Sequence, residues 1–153
     1  MSKVLFIGFK GKNNASGRLA ELISPDHLLL TNSFAGLKKD IDSIREDYDL
    51  AVMFGVDKTL VSSVRLEKSA SMDGKRLYSK PELNKFAESL RSSGIDPVIS
   101  DAPVRCLCNE AFWHALVRFE GQAVFFHIPT FKYADEAFID KMIVSIRKSV
   151  LES

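Results

Sequence analysis

Solidly apolar runs alternate along this chain with stretches whose apolar residues recur every three or four positions. "KVLFIGF" (3–9), "HLLLT" (27–31), "DLAVMFG" (49–55), "DPVIS" (96–100) and "AVFFHI" (123–128) are short and apolar, and turn-forming or charged residues bound most of them. Such runs predict buried strands. Between them, "NASGRLAELI" (14–23) carries helical spacing with a cap candidate at Ser16. Ser33 stands where it would cap a helix over 34–48, with Phe34, Leu37, Ile41 and Ile44 on one face. "SKPE" (79–82) reads as a capping box that opens a helix through Ser93, with Gly94 as its stop. A helix from about Cys108 to Glu120 stops at Gly121, and "ADEAFIDKMIVSIRKSVLE" (134–152) closes the chain as a last helix. Residues 56–78 fit this rhythm less well; alternation in "LVSSVRLEKSA" predicts an extended segment followed by a loop.

Strands alternating with helices predict an α/β fold, a three-layer α/β/α sandwich with a mostly parallel central sheet. Ligands of such sheets bind beyond the carboxyl ends of the strands. That rule places Gly8–Ser16, Gly55–Asp57, Ser100–Cys108 and His127–Thr130 on one rim. The 153 residues suit one domain spanning 1–153.

Composition narrows the function. Twenty-one basic and 20 acidic residues leave a formal charge of +1, which gives no electrostatic case for nucleic acid or an anionic membrane surface. The N-terminus lacks the pattern of a secretory signal, and no apolar run has the length of a membrane span. A cytoplasmic location is expected. The only cysteines, Cys106 and Cys108, stand one residue apart. A disulfide between them would close a small strained ring, and cytosolic thiols stay reduced. Structural zinc takes four ligands, commonly with a second cysteine pair, and there is none here. The expectation is no metal and no cofactor.

Cys108 stands where a loop hands over to a helix. Free N–H groups and the macrodipole at a helix N-terminus favour an anion, so this placement predicts a lowered thiol pKa and a reactive thiolate. Cys106, two residues earlier, belongs to the loop or turns toward the core. A cysteine nucleophile needs a base. His114 lies six residues further along the same helix, about 600° around it, on a different face. His27 begins its strand at the wrong end of the sheet. His127, near the carboxyl end of "AVFFHI", shares the predicted rim with Cys108; the plain alternative is a buried core histidine. Glu67 in "VRLEKSA" is the candidate third group, its alternative being an ion pair with Arg65 or Lys68. The turn "GFKGKNNASG" (8–17) offers glycines before a helix, as a phosphate site would, but matches neither a P-loop nor the dinucleotide fingerprint.

Three segments carry a family likeness. "VRLEKSA", "VISDAPVRCLCN" and "FFHIP" resemble, in this order, the glutamate, cysteine and histidine segments of the pyroglutamyl peptidase I (pyrrolidone-carboxylate peptidase) family. Ser100, Leu107 and Asn109 fit the cysteine segment and select Cys108 over Cys106. "VLFIGF" followed by "NAS" is similar to the family's opening strand and loop. The chain departs from the family at Pro103-Val104 and at Met72, and its loop after Gly8-Phe9 is shorter. The resemblance implies an α/β/α fold and a cysteine peptidase that removes N-terminal pyroglutamate. It implies Cys108 as nucleophile, His127 as base and Glu67 as its support, with no cofactor. Phe9 and Asn14 correspond to substrate-binding positions, and Arg76 stands near an arginine that follows the family's glutamate. The implied partners are a peptide or small amide substrate and a second copy in a homo-oligomer. Two other readings stand beside it: a diverged thiol hydrolase of other acyl or amide substrates, and a non-catalytic flavodoxin-like module binding a phosphate or nucleotide through the 8–16 loop.

Overall fold

A computed structural model describes residues 3–102 and 106–151. The departure at Pro103-Val104 and the final residue of the expected closing helix lie outside them. In chain order the elements are β1 (Val4–Phe9), α1 (Ala15–Ile23), β2 (His27–Leu30), α2 (Phe34–Asp42), β3 (Leu50–Val56), β4 (Ser63–Glu67), β5 (Ser69–Met72), β6 (Lys75–Tyr78), α3 (Leu83–Ser92), β7 (Asp96–Ser100), α4 (Leu107–Arg118), β8 (Ala123–Ile128) and α5 (Glu136–Leu151). Six strands form one sheet in the order β2-β1-β3-β8-β4-β7. All neighbours in it are parallel except β8 and β4.

The layers follow from which apolar residues each element presents. Leu19 and Ile23 of α1, Phe86 and Leu90 of α3, and Met142 and Ile146 of α5 pack against Phe6, Phe54 and Phe126 on one face of the sheet. Leu37 and Ile41 of α2 and Ala111, Phe112 and Ala115 of α4 pack against Leu5, Ile7, Met53 and Phe125 on the other. Strands buried on both faces need apolar residues throughout, which is why β3 and β8 read as continuous apolar runs rather than alternating ones.

Several expectations are corrected. Asn14, not Ser16, caps α1; its side chain accepts from the Ser16 N–H, while Ser16 is buried inside the helix. Helix α2 stops at Asp42, short of 48. The "SKPE" segment is not a capping box, since α3 starts at Leu83 and its N-cap, Glu82, makes no side-chain capping bond. The loop expected after "LVSSVRLEKSA", which ends at residue 70, is the turn and return strand of a hairpin. Asp73 (φ 51) and Gly74 (φ 77) form a two-residue turn with both residues in left-handed backbone, closing the Met72–Lys75 pair of β5 and β6. The one-rim expectation fails at Ser100. β7 pairs parallel with β4, which runs against β8, so Ser100 sits level with Glu67 and Phe125 rather than beyond the end of β8.

Candidate functional site

The reversal between β8 and β4 builds the site. In the antiparallel register His127 stands opposite Arg65, and Phe125 opposite Glu67. Directly paired residues share a face, as do residues two apart on one strand. Arg65, Glu67, Phe125 and His127 therefore all face the α4 side. Glu67 and His127 are each 2% exposed. The His127 Nδ1 donates to Glu67 Oε2 at 2.7 Å, and Arg65 Nε donates to the same oxygen at 2.7 Å. Arg65 reaches on with its Nη2 to Asp57 Oδ2 at 2.8 Å. Glu67 thus bonds the imidazole and Arg65 through one oxygen, and the pair with Arg65 is partly buried rather than on the surface.

Cys108 enters from above, one residue into α4. Its sulfur lies over Gly55, the residue that pairs with His127 in the β3–β8 ladder. A β-carbon at Gly55 would come within 2.8 Å of the Cys108 Sγ and 2.8 Å of the Phe125 ring. The missing side chain is what lets the helix bring its thiol down to the strand. Cys108 and His127 together line two spaces. One is an open cleft of about 460 Å³ walled by Val56, Asp57, Lys58 and Cys106 as well. The other is a closed recess with no room for a water, walled also by Glu67, Ser69, Asn109, Phe112 and Phe125. Among the described residues no hydrogen bond joins the Cys108 sulfur to the His127 ring. Glu67 Oε1 is buried without a hydrogen-bond partner.

The electrostatics correct one expectation. Cys108 is not a resting thiolate: its pKa is pushed up to about 12 by burial first, then by the adjacent Cys106 thiol and the carboxylates of Glu67 and Asp57. The desolvation of a thiol wedged between α4 and the sheet outweighs the pull of the helix N-terminus. Asp57 moves the other way. Burial alone would raise its carboxyl, but hydrogen bonds from the Thr59 hydroxyl and N–H and from Arg65 hold it at about 2.

The remaining candidates are occupied elsewhere. Phe9 is 4% exposed in the core on the α2/α4 face, and Asn14 caps α1; neither lines the two spaces that Cys108 and His127 share. The turn between β1 and α1 is closed upon itself. The Ser16 hydroxyl accepts from the Phe9 N–H, and a β-carbon on Gly8 or Gly17 would meet backbone of the opposing element at 2.4 and 2.3 Å. Those glycines serve the close approach of α1 to β1, and the capped helix end leaves the phosphate reading without support. Arg76 Nε donates to the Ser69 hydroxyl at 3.1 Å and Nη2 to the Asp101 carbonyl; it borders a different hollow, between the hairpin and Leu116 and Val117. His114 lies beside Glu110 on its own helix, and the His27 ring contacts the Ser24 carbonyl. Cys106 is exposed, at the N-cap of α4, with φ 87 and ψ −162. Arg65 and Asp57 are what sequence reasoning passed over. Arg65 counted only as the bland partner of Glu67, and nothing in the spacing of 57 and 65 announces that they meet.

The class defined by this fold and site is a three-layer α/β/α protein carrying a buried carboxylate–imidazole pair with a thiol above it. Its fold is that of the pyrrolidone carboxyl peptidases. The enzyme of Thermococcus litoralis aligns with a TM-score of 0.76 at 20% identity, over 99% of this chain and 96% of that one. That of Fervidobacterium islandicum gives 0.76 at 18%, over 99% of both. The Pyrococcus furiosus enzyme gives 0.75 at 18%, over 98% and 99%. No protein-family model matches the chain, and no curated protein matches it in sequence. No helix among the described residues is long and apolar enough to cross a membrane.

Proposed function

We propose that the chain is a distant pyroglutamyl peptidase that hydrolyses the bond between an N-terminal pyroglutamyl group and the next residue. The observation that carries this reading is the buried Glu67–His127 hydrogen bond facing the same recess as the Cys108 thiol. His127, fixed through Nδ1, has Nε2 left to act as a base. A thiol with a pKa near 12 is neutral at physiological pH. The attack is therefore general-base catalysed: Nε2 takes the proton as the Cys108 sulfur bonds to the carbonyl carbon. The resulting imidazolium is balanced by Glu67. Return of that proton to the departing amine breaks the amide and leaves a thioester, which water hydrolyses with His127 again as base. At the start of α4 the N–H groups of Asn109 and Glu110 turn back to the Cys106 carbonyl. The oxyanion then falls to the N–H of Cys108 or Leu107.

The comparisons reach the fold; hydrolysis by the thiol and the identity of the acyl group both belong to the proposal. A panel of fluorogenic amides carrying pyroglutamyl, prolyl, glutamyl and acetyl groups decides it. Release from the pyroglutamyl amide alone supports the proposal, with a high KM expected because the loop after Phe9 is short. Release from a different member of the panel, with none from the pyroglutamyl amide, replaces it by a hydrolase of another acyl group.

A further inference from the structure

The Arg65–Asp57 pair has no role in the steps above, yet Arg65 makes the same contact with Glu67 Oε2 that His127 makes. We infer that Arg65, anchored by Asp57, is a positioning residue that fixes the Glu67 carboxylate so that Oε2 holds the Nδ1–H of His127 and leaves Nε2 free. The inference rests on the proposed roles of Cys108 and His127.

The argument is one of desolvation. Glu67 lies against Phe112 and Phe125, its Oε1 has no partner, and the recess beside it admits no water. A carboxylate in that setting is costly unless a cation stands beside it and hydrogen bonds hold its oxygens. Without Arg65 on the same oxygen, the carboxylate is free to turn Oε2 away from Nδ1, and the ring proton can then sit on Nε2. That nitrogen could no longer receive the thiol proton. Among the groups facing Glu67, Asp57 after β3 and Cys108 on α4 are acidic, and His127 on β8 is the group being set. The paired strand β7 places Val98 and Ser100 alongside, neither of them charged. Arg65 supplies the lasting positive charge. Its guanidinium stays ionised and its fork spans two carboxylates. Asp57 holds the far end of the fork and is itself held by the Thr59 N–H and hydroxyl, at 2.9 and 2.7 Å.

Arg65→Met keeps an unbranched stem of similar girth and removes the charge and the fork. The expected result is a kcat lower by roughly ten- to a hundred-fold, less than the full contribution of a positioned general base, with KM nearly unchanged. Nitrogen-15 spectra of the imidazoles should show His127 passing from the Nδ1–H to the Nε2–H tautomer, and Arg65→Lys should restore Nδ1–H and part of the rate. If Arg65→Met does not fold, Asp57→Asn carries the test, with a smaller change in the same two readouts. An unchanged tautomer together with an unchanged kcat overturns the inference. The spectrum reads the tautomer without turnover, so a wild-type protein with no hydrolysis would count against the proposed function and leave this test standing.

Discussion

Gly55 decides how near the Cys108 thiol comes to the strand that carries His127. Its absent side chain is the space that Cys108 Sγ and the Phe125 ring occupy, so Gly55→Ala forces α4 or Phe125 to yield. Overpacking of this kind costs about 1–3 kcal/mol. The expected outcome is a modest drop in the denaturation midpoint and a much larger loss of hydrolysis, read by chemical unfolding and by the amide assay on the same sample. The two cysteines make a second case. Cys106 is exposed, whereas burial keeps the Cys108 thiol protonated. Limiting iodoacetamide at neutral pH should therefore alkylate Cys106 first, as located by peptide mass mapping, with activity retained. Slower modification of Cys108 should abolish it. Faster labelling of Cys108 would mean that the helix N-terminus outweighs burial, contrary to the structure.

At the scale of elements, the β5–β6 hairpin is tied to α4 by one side chain. Asn109 accepts from the Ser71 N–H at 2.9 Å and donates to the Ser71 carbonyl at 2.8 Å. Asn109→Ala leaves both backbone groups unpaired in a partly buried place, at a cost of about 1–3 kcal/mol. Faster hydrogen exchange confined to residues 69–78 and the first turn of α4 is the expected sign; uniform exchange across the chain would deny the tie. Most elements were legible in the sequence, because strands such as "AVFFHI" and stops such as Gly94 and Gly121, both at positive φ, are set by local chemistry. The hairpin also had a local signal, since Asp73-Gly74 is a two-residue turn pair, but the polar residues around it hid the strands. The direction of β4 had no local signal. Parallel and antiparallel neighbours carry the same apolar residues, and the rule that ligands sit beyond strand ends therefore misplaced Ser100. The same blindness concealed Arg65 and Asp57, whose meeting depends on the β4–β8 register. Cys108, His127 and Glu67 could be singled out because their segments resemble a known family's; their distances and burial could not.

For the whole molecule, groups with raised pKa values set how stability responds to alkaline pH. Cys108 and Tyr48 both have folded pKa values raised to about 12, Tyr48 through burial and its hydrogen bond to Asp26. Their stabilising contribution is complete below the unfolded pKa values, about 8.5 for cysteine and 10 for tyrosine, and is lost as pH rises toward the folded ones. Unfolding free energy should fall between about pH 8.5 and 12, and fall less in Cys108→Ser, whose hydroxyl does not titrate there. Equal slopes in the two proteins would show that Cys108 is not buried as described. The central claim is chemical: a fold shared with pyrrolidone carboxyl peptidases carries here a working thiol driven by the Glu67–His127 pair. The most direct test is the initial rate of amine release from a pyroglutamyl amide by wild type and by Cys108→Ser and His127→Asn variants that retain the native circular dichroism spectrum. The account predicts measurable turnover by the wild type and none above background by either variant. Turnover that survives loss of Cys108, or a folded wild-type protein with no turnover at any substrate concentration, would contradict it.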